Sequence, residues 1–468
     1  MTFASLLFLL FWVLVAAAHR ALGPSSGRRA LLLVASYLFY ASWDVRFVLL
    51  LAGVSLNAWL GARAIAAAAT ADRRKALTGT FVSLNVLALA LFKYLGFLDG
   101  IAAGLFGVHL PGATSIALPV GISFYSFQAI SYLVDVHRGK VRADAPAADV
   151  FLYLALFPHL LSGPIVRAGT LLPQLRQPPR ASRADALAGV QLFLVGLVQK
   201  RLFADTLAFF TAPVFQQPML YDGATLFLAM LAFTLQIYCD FSGYSLMAIG
   251  VSRTLGFSIP DNFDSPYVSG TVTEFWRRWH ISLSTFLRDY VYIPLGGSRR
   301  GNARANVNLV LTMLVGGLWH GAGWNFVAWG GLHGLGLVVQ KEWSARVPLP
   351  AAGPGLVVRR ALGHGALLLF VALLWVPFRS AGFDDTVAFV SRLATAAPGL
   401  RWLHTGSVWL VGLMAAWHVA QAAWPGLARL VPTGDATSWR SLFVMGVLIG
   451  ALALFAPVTT SPFLYFSF

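Results

Sequence analysis

The chain has 468 residues, of which 58% are hydrophobic and 11% charged, and its mean hydropathy is +0.71. A soluble domain carries about 25% charged residues, so this chain lacks the polar side chains to cover a water-exposed globule and reads as a polytopic membrane protein. The formal net charge of +16 sits in short loops between apolar runs, where the positive-inside rule and anionic lipid headgroups account for it and no nucleic-acid partner is expected.

Apolar runs occupy residues 3–18, 29–43, 47–68, 76–97, 116–134, 150–163, 186–209, 222–250, 307–319, 324–340, 361–377, 406–424 and 440–456. A crossing needs about 20 apolar residues and several runs are shorter, so the expectation is an all-α membrane fold with about eleven crossings and one or two re-entrant segments. The first run has no basic segment before it and reads as a span rather than a cleaved signal. Arg20, Arg28 and Arg29, then Arg63, Arg73, Arg74 and Lys75, place two loops in the cytoplasm and the N-terminus outside. No repeat or long linker divides the chain, so 1–468 is expected to form one membrane-embedded domain. Cys239 is the single cysteine, which leaves no internal disulfide framework and no cysteine-based zinc cage.

The longest polar interruption, 251–306, reads as a cytoplasmic-side amphipathic or re-entrant segment within that domain. It holds Arg253, Arg277, Arg278, Arg288, Arg299, Arg300 and Arg304 against Asp261, Asp264, Glu274 and Asp289. Thr271-Val-Thr-Glu274 has the form of a capping box and predicts a helix start, which Pro294 and Gly296-Gly297 should end. Trp276, Trp279, Leu283, Phe286, Leu287 and Tyr290 recur at helical spacing on one face, and Arg277, His280, Ser284 and Arg288 on another. One amphipathic helix at the membrane boundary is therefore expected.

Among the ten histidines, His19, His109, His364, His404 and His418 have no polar cluster near them in sequence and read as structural. His137 and His159 are weaker candidates. His320 lies in Gly316-Gly-Leu-Trp-His-Gly-Ala-Gly-Trp324, an apolar stretch whose glycines permit close backbone approach or re-entry. An ionisable side chain at that depth is a functional-site candidate, and an imidazole takes and returns protons near neutral pH. His280 stands on the polar face of the expected helix, where it would orient a substrate, assist proton transfer or anchor the helix. Arg277, Arg278 and Arg288 are suited to phosphates by charge-assisted hydrogen bonding, and equally to setting topology. Asp240, inside the run 222–250 with Gln236 and Tyr244 on its face, needs a partner or a wet cavity. No P-loop, Gly-x-Ser-x-Gly elbow, His-Glu-x-x-His or dinucleotide fingerprint is present, and Gly331-Leu-His-Gly334-Leu-Gly336 matches none of these.

Glu274-Phe-Trp-Arg-Arg-Trp-His280-Ile-Ser-Leu-Ser, followed by Leu287-Arg-Asp-Tyr-Val-Tyr-Ile-Pro-Leu-Gly-Gly297, resembles the signature of the membrane-bound O-acyltransferases, in particular the branch of bacterial alginate O-acetylation. Gly316–Gly330 resembles that family's second histidine motif. Ser36-Tyr-Leu-Phe-Tyr-Ala-Ser-Trp-Asp44, Pro119–Tyr125, Phe157–Pro164, Gln236–Tyr244 and the aromatic end Pro462–Phe468 extend the resemblance over nearly the whole chain. It departs at Leu246, where an acidic residue is expected, and at Cys239, where an aromatic one is.

The resemblance implies a helical fold around a membrane tunnel, with His320 as catalytic base and His280 as its cytoplasmic-side companion. Arg277, Arg278, Arg288 and Trp279 are then expected at the donor, and Trp319, Asp240, Tyr244, Trp324 and Asn325 along the tunnel. The implied reaction moves an acetyl group from acetyl-CoA or another acyl thioester, with no permanently bound cofactor and no metal. The acceptor side is a periplasmic acetyltransferase or acceptor protein that modifies an exported polysaccharide, and the location is the bacterial inner membrane among its lipids. D-alanyl transfer from a carrier protein to teichoic acid is the alternative cargo. A transporter or flippase without acyl chemistry is the alternative class, since broken spans with buried charge are also transporter features.

Overall fold

The computed structural model describes residues 1–23, 26–112, 117–347, 353–423 and 436–464. Ile116 and Trp424, the ends of two predicted runs, and Tyr465–Phe468 of the aromatic terminus lie outside the described residues. The described secondary structure is helical, apart from an isolated bridge between Tyr221 and Leu400. Among the described residues, Val45–Ala66, Ala71–Phe106, Arg183–Gln216, Gly223–Thr254 and Gly355–Arg379 are long and apolar enough to cross a membrane, and Leu6–Ala21 and Trp439–Phe455 are shorter apolar helices. The chain divides into two units, one of residues 1–194, 244–261 and 435–443, the other of 195–243, 262–434 and 444–468.

In the first unit an aromatic core forms where Phe8 meets Phe39 at 5.8 Å and Phe193 at 6.4 Å, and Phe11 meets Phe157 edge-on at 5.1 Å. The Trp12 indole donates to Thr254 Oγ1 at 2.9 Å, which satisfies its one polar atom inside an apolar core. Ala71–Phe106 has 36 residues and buries only Asn85, Leu89 and Asp99. At 1.5 Å per residue it is about 54 Å long, more than the roughly 30 Å hydrocarbon core. Its outward Leu, Val and Phe side chains suit lipid as solvent, because a spanning helix satisfies its backbone internally and needs no polar coat.

The second unit is organised around charges that cannot be left in hydrocarbon. Asp240, in the helix Gly223–Thr254, meets Lys200 Nζ at 2.6 Å, and Lys200 lies 3.0 Å from Asp205. All three side chains are essentially inaccessible. Lys200 and Arg201 belong to a π-helical turn, Gln199–Ala204, and Arg201 also pairs with Asp205 at 2.7 Å. Two cations thus face two carboxylates and the cluster is neutral. It also holds the end of the described chain: Lys200 donates to Ser461 Oγ at 3.1 Å, Ser461 to Asp205 at 2.5 Å, and the Leu464 amide to Asp240 at 2.8 Å.

Removing one charge from such a cluster strands its partner, at a cost of about 3–5 kcal/mol. Lys200→Met and Asp240→Asn should each lower stability by that order in detergent unfolding. The double variant, neutral again, should regain more than about 1 kcal/mol over the sum of the single losses. Strict additivity would place the stabilisation in packing instead of charge balance.

Candidate active site

The polar segment contains two seven-residue helices, Val272–Arg278 and Ile281–Leu287, followed by a π turn, Arg288–Tyr292, where one continuous helix was expected. Its start is as read from sequence: Thr271 Oγ1 accepts from the Glu274 amide at 3.1 Å, and Glu274 reaches back to the Gly270 amide at 3.0 Å. The helix breaks at His280, whose φ of +43° and ψ of +56° put it in the left-handed region. Asn262 supplies the reason. Its side-chain oxygen accepts from Ser282 N at 3.2 Å and Ser282 Oγ at 2.8 Å, and its backbone carbonyl from Ile281 N at 2.9 Å. A tertiary partner thus takes the amides that a continuous helix would have used.

The same Asn262 oxygen lies 3.1 Å from His280 Nδ1. Because that oxygen only accepts, Nδ1 carries the proton and the Nε2 lone pair is left available. His280 is wholly buried, and among the described residues Nε2 has no hydrogen-bond partner. Burial pushes the imidazole down to about 3, so it is neutral at physiological pH. Left-handed backbone at a non-glycine residue costs roughly 1–2 kcal/mol. Such strain persists where surrounding contacts hold the backbone, here those of Asn262.

His320 ends the helix Asn302–His320, which packs against Trp324–Arg346 at backbone distance. A Cβ on Gly317 would lie 2.2 Å from the Phe326 carbonyl oxygen, and one on Gly330 2.4 Å from that of Met313. Only glycine allows this approach. It brings the His320 ring against Trp319 at 4.8 Å, Trp329 at 5.0 Å and Phe378 at 5.1 Å, and within 6.5 Å of the His280 ring. Trp319 also meets His280 at 5.7 Å, and Phe241 meets it edge-on at 4.7 Å. Two buried imidazoles therefore share one aromatic wall.

The other predicted site residues fall as follows. Arg278 is tied to Glu274 at 3.1 Å and Asp264 at 3.4 Å, and Arg288 to Asp289 at 2.8 Å. Arg277 is exposed and makes no ion pair among the described residues. Trp279 is buried between Phe263 at 5.0 Å and Trp375 at 4.9 Å. Asn325 donates to the Pro377 and Ser380 carbonyls at 3.1 Å each, fastening two helix ends. Trp324 is exposed, Asp240 belongs to the ion cluster, and Tyr244 stacks on Phe3 at 5.8 Å in the first unit. Of the weaker histidines, His159 faces Gln128 at 3.0 Å and His137 faces Thr78 at 2.9 Å, both in the first unit.

Two residues escaped the sequence reading. His333 is wholly buried, both ring nitrogens without a hydrogen-bond partner among the described residues, against Trp329 at 4.7 Å and Trp276 at 5.0 Å. Its spacing of four from Trp329, on one helical face, was the available signal. Lys200 was passed over because nothing local links it to Asp240.

The left-handed backbone at His280 has a measurable consequence. In an ordinary helix position alanine stabilises more than glycine, but here His280→Gly should be more stable than His280→Ala by about 1 kcal/mol. Thermal unfolding of the two purified variants reads the difference. The opposite order would mean that residue 280 is helical.

The sequence profile of the MBOAT, membrane-bound O-acyltransferase, family matches residues 140–359. The chain is 42% identical over 390 residues to a probable alginate O-acetylase AlgI of Pseudomonas aeruginosa, covering 81% of this chain and 72% of that one. It is 32% identical over 408 residues to a peptidoglycan O-acetyltransferase of Helicobacter pylori, covering 81% and 75%. A teichoic acid D-alanyltransferase of Streptococcus thermophilus is 29% identical over 245 residues, covering 50% and 59%. With these relationships and its apolar helices, the chain belongs to the membrane-bound O-acyltransferase family and is a multi-pass membrane O-acetyltransferase.

Proposed function

We propose that the enzyme, in the bacterial inner membrane, takes an acetyl group from a cytoplasmic thioester and passes it to an acceptor hydroxyl on the periplasmic side, for O-acetylation of an exported polysaccharide. The names of the alginate and peptidoglycan relatives support the polysaccharide, and a periplasmic acetyltransferase or acceptor protein is the partner this reading requires. The donor is acetyl-CoA or another acyl thioester, consumed as substrate.

One observation carries the chemistry: the buried pair His280 and His320, rings 6.5 Å apart. As the acceptor oxygen attacks the thioester carbonyl, its proton passes to His320. The C–S bond then breaks, and the leaving thiolate recovers the proton from the imidazolium, so the base is regenerated. A positioned base is worth about 10²–10⁴-fold. His280, its Nδ1 proton held by Asn262, presents the Nε2 lone pair to hold a hydroxyl in place. The aromatic wall excludes the bulk water that would hydrolyse a thioester. Arg277, exposed and without an ion pair among the described residues, is the arginine best placed to meet donor phosphates, whereas Arg278 and Arg288 are already engaged. No covalent nucleophile is needed, and Cys239 is buried.

D-alanyl transfer from a carrier protein is the second reading, favoured by the teichoic acid D-alanyltransferases among the relatives. Purified protein in nanodiscs would be given acetyl-CoA, and in parallel a carrier-linked D-alanyl thioester, with and without an acceptor oligosaccharide. Thiol release from acetyl-CoA should fall by about 10²–10⁴-fold in His320→Ala, with the protein folded and inserted. Release at the wild-type rate by that variant would overturn the assignment of the base. Turnover of the D-alanyl thioester alone would transfer the reading to that cargo.

A further inference from the structure

The first unit carries an open groove of about 1140 Å³, lined by Arg63, Arg74 and Arg142 together with Gly139, Val141 and Asp144. It lies where the helices Val48–Ala66 and Ile122–His137 end and Ala71–Phe106 begins. The 63–75 loop is one of the two that the lysine and arginine bias assigns to the cytoplasm. We infer that this groove is a binding site for phosphate-ester anions, supplied either by the headgroup of an anionic phospholipid or by a soluble phosphate-bearing ligand such as the nucleotide end of coenzyme A.

The charge balance of the groove is one-sided. Asp144, the single acid lining it, is turned to Arg176 in an ion pair. That guanidinium holds the Asp144 carboxyl below the usual carboxylate range, so the acid is ionised and already matched. Arg63, Arg74 and Arg142 make no ion pair among the described residues. Asp144 also attracts Arg142, but three guanidiniums on one concave surface lined by a single acid that is ion-paired to a fourth arginine form a site of positive potential that an anion would neutralise.

Arg63 is also held more firmly than a topology signal requires. The Arg63 guanidinium lies over the Trp59 ring at 5.4 Å. Trp59 is itself fixed by its indole N–H, which donates to the Ala145 carbonyl at 3.3 Å. Stacking of this kind orients the guanidinium before a ligand arrives and lowers the entropy lost on binding. Arg74 lies in the first turn of Ala71–Phe106, whose N-cap Thr70 accepts from the Arg73 amide at 3.2 Å, so the positive end of the helix dipole adds to the field. The rest of the lining is small. Gly139, at φ +71°, has open space where a side chain would stand, and a tetrahedral anion needs that room. The planar fork of arginine matches phosphate oxygens bidentately. The groove exceeds the roughly 300–1,000 Å³ of common ligand clefts, which suits a headgroup or nucleotide better than one free phosphate ion.

The test uses the full chain in nanodiscs and two charge-matched double variants, Arg63→Gln/Arg142→Gln in the groove and Arg20→Gln/Arg183→Gln at exposed positions outside its lining. In one arm the nanodiscs contain phosphatidylcholine alone or with phosphatidylglycerol, and retained phosphatidylglycerol is counted by native mass spectrometry. In the other, coenzyme A is titrated in phosphatidylcholine nanodiscs. Losing charge-assisted hydrogen bonds should weaken binding by about 10-fold or more in the groove variant and leave the control near wild type. The arm that moves names the source of the phosphate, and movement in both supports the shared chemistry. Should the double variant fail to fold, single Arg142→Gln, on an exposed loop, should show a smaller loss in the same arm. Equal losses in groove and control variants, or none in either, would overturn the site and return the arginines to topology. Neither arm measures acyl transfer, so the outcome is separable from that of the proposed reaction.

Discussion

A charge in hydrocarbon must be paired, and that requirement explains the arrangement of the second unit. Lys200, Arg201, Asp205 and Asp240 come from two segments and cancel to neutrality inside the protein. The tail up to Leu464 is fastened through the same atoms. Phe463, between the two fastened residues, packs 5.9 Å from Phe241, which in turn meets the edge of His280. Charge pairing thus reaches the histidine wall through two aromatic contacts.

Close helix packing supplies the other half of that wall. Association between helices in lipid depends on van der Waals fit, because hydrocarbon is no worse a neighbour for leucine than protein is. Gly317 and Gly330 meet this by removing side chains where the two helices cross. His320, at the end of one of these helices, is carried to its aromatic neighbours as a result. Gly317 and Gly330 therefore act on the position of the imidazole through backbone packing.

The break at His280 joins strain to chemistry. Asn262 takes both the amides that would have continued the helix and the Nδ1 proton, so one side chain sets backbone direction and tautomer together. The result is a neutral imidazole with its Nε2 lone pair turned into the buried aromatic wall. In water the same group would titrate and exchange partners freely. Inside the aromatic wall its state is fixed by burial and by one hydrogen bond.

Composition and local pattern determined much about this protein. The membrane class followed from 11% charged residues, the all-helical fold from runs of apolar residues, the start of Val272–Arg278 from its capping box, and the two histidine motifs from their residues. These are properties of hydropathy and of neighbours within a few positions, which the chain carries before it folds. The tertiary structure decided the rest. The apolar spacing of Trp276, Trp279 and Leu283 fits one helix, yet the structure ends it at residue 278, because Asn262 competes for its hydrogen bonds. Trp279 belongs to the core with Trp375 instead of standing beside Arg277. Asp240 found its counter-charge at Lys200, and His333 its burial against Trp276, across separations that no local pattern encodes. Such pairings depend on which helices lie side by side, and in lipid that is settled by packing and charge balance between distant segments.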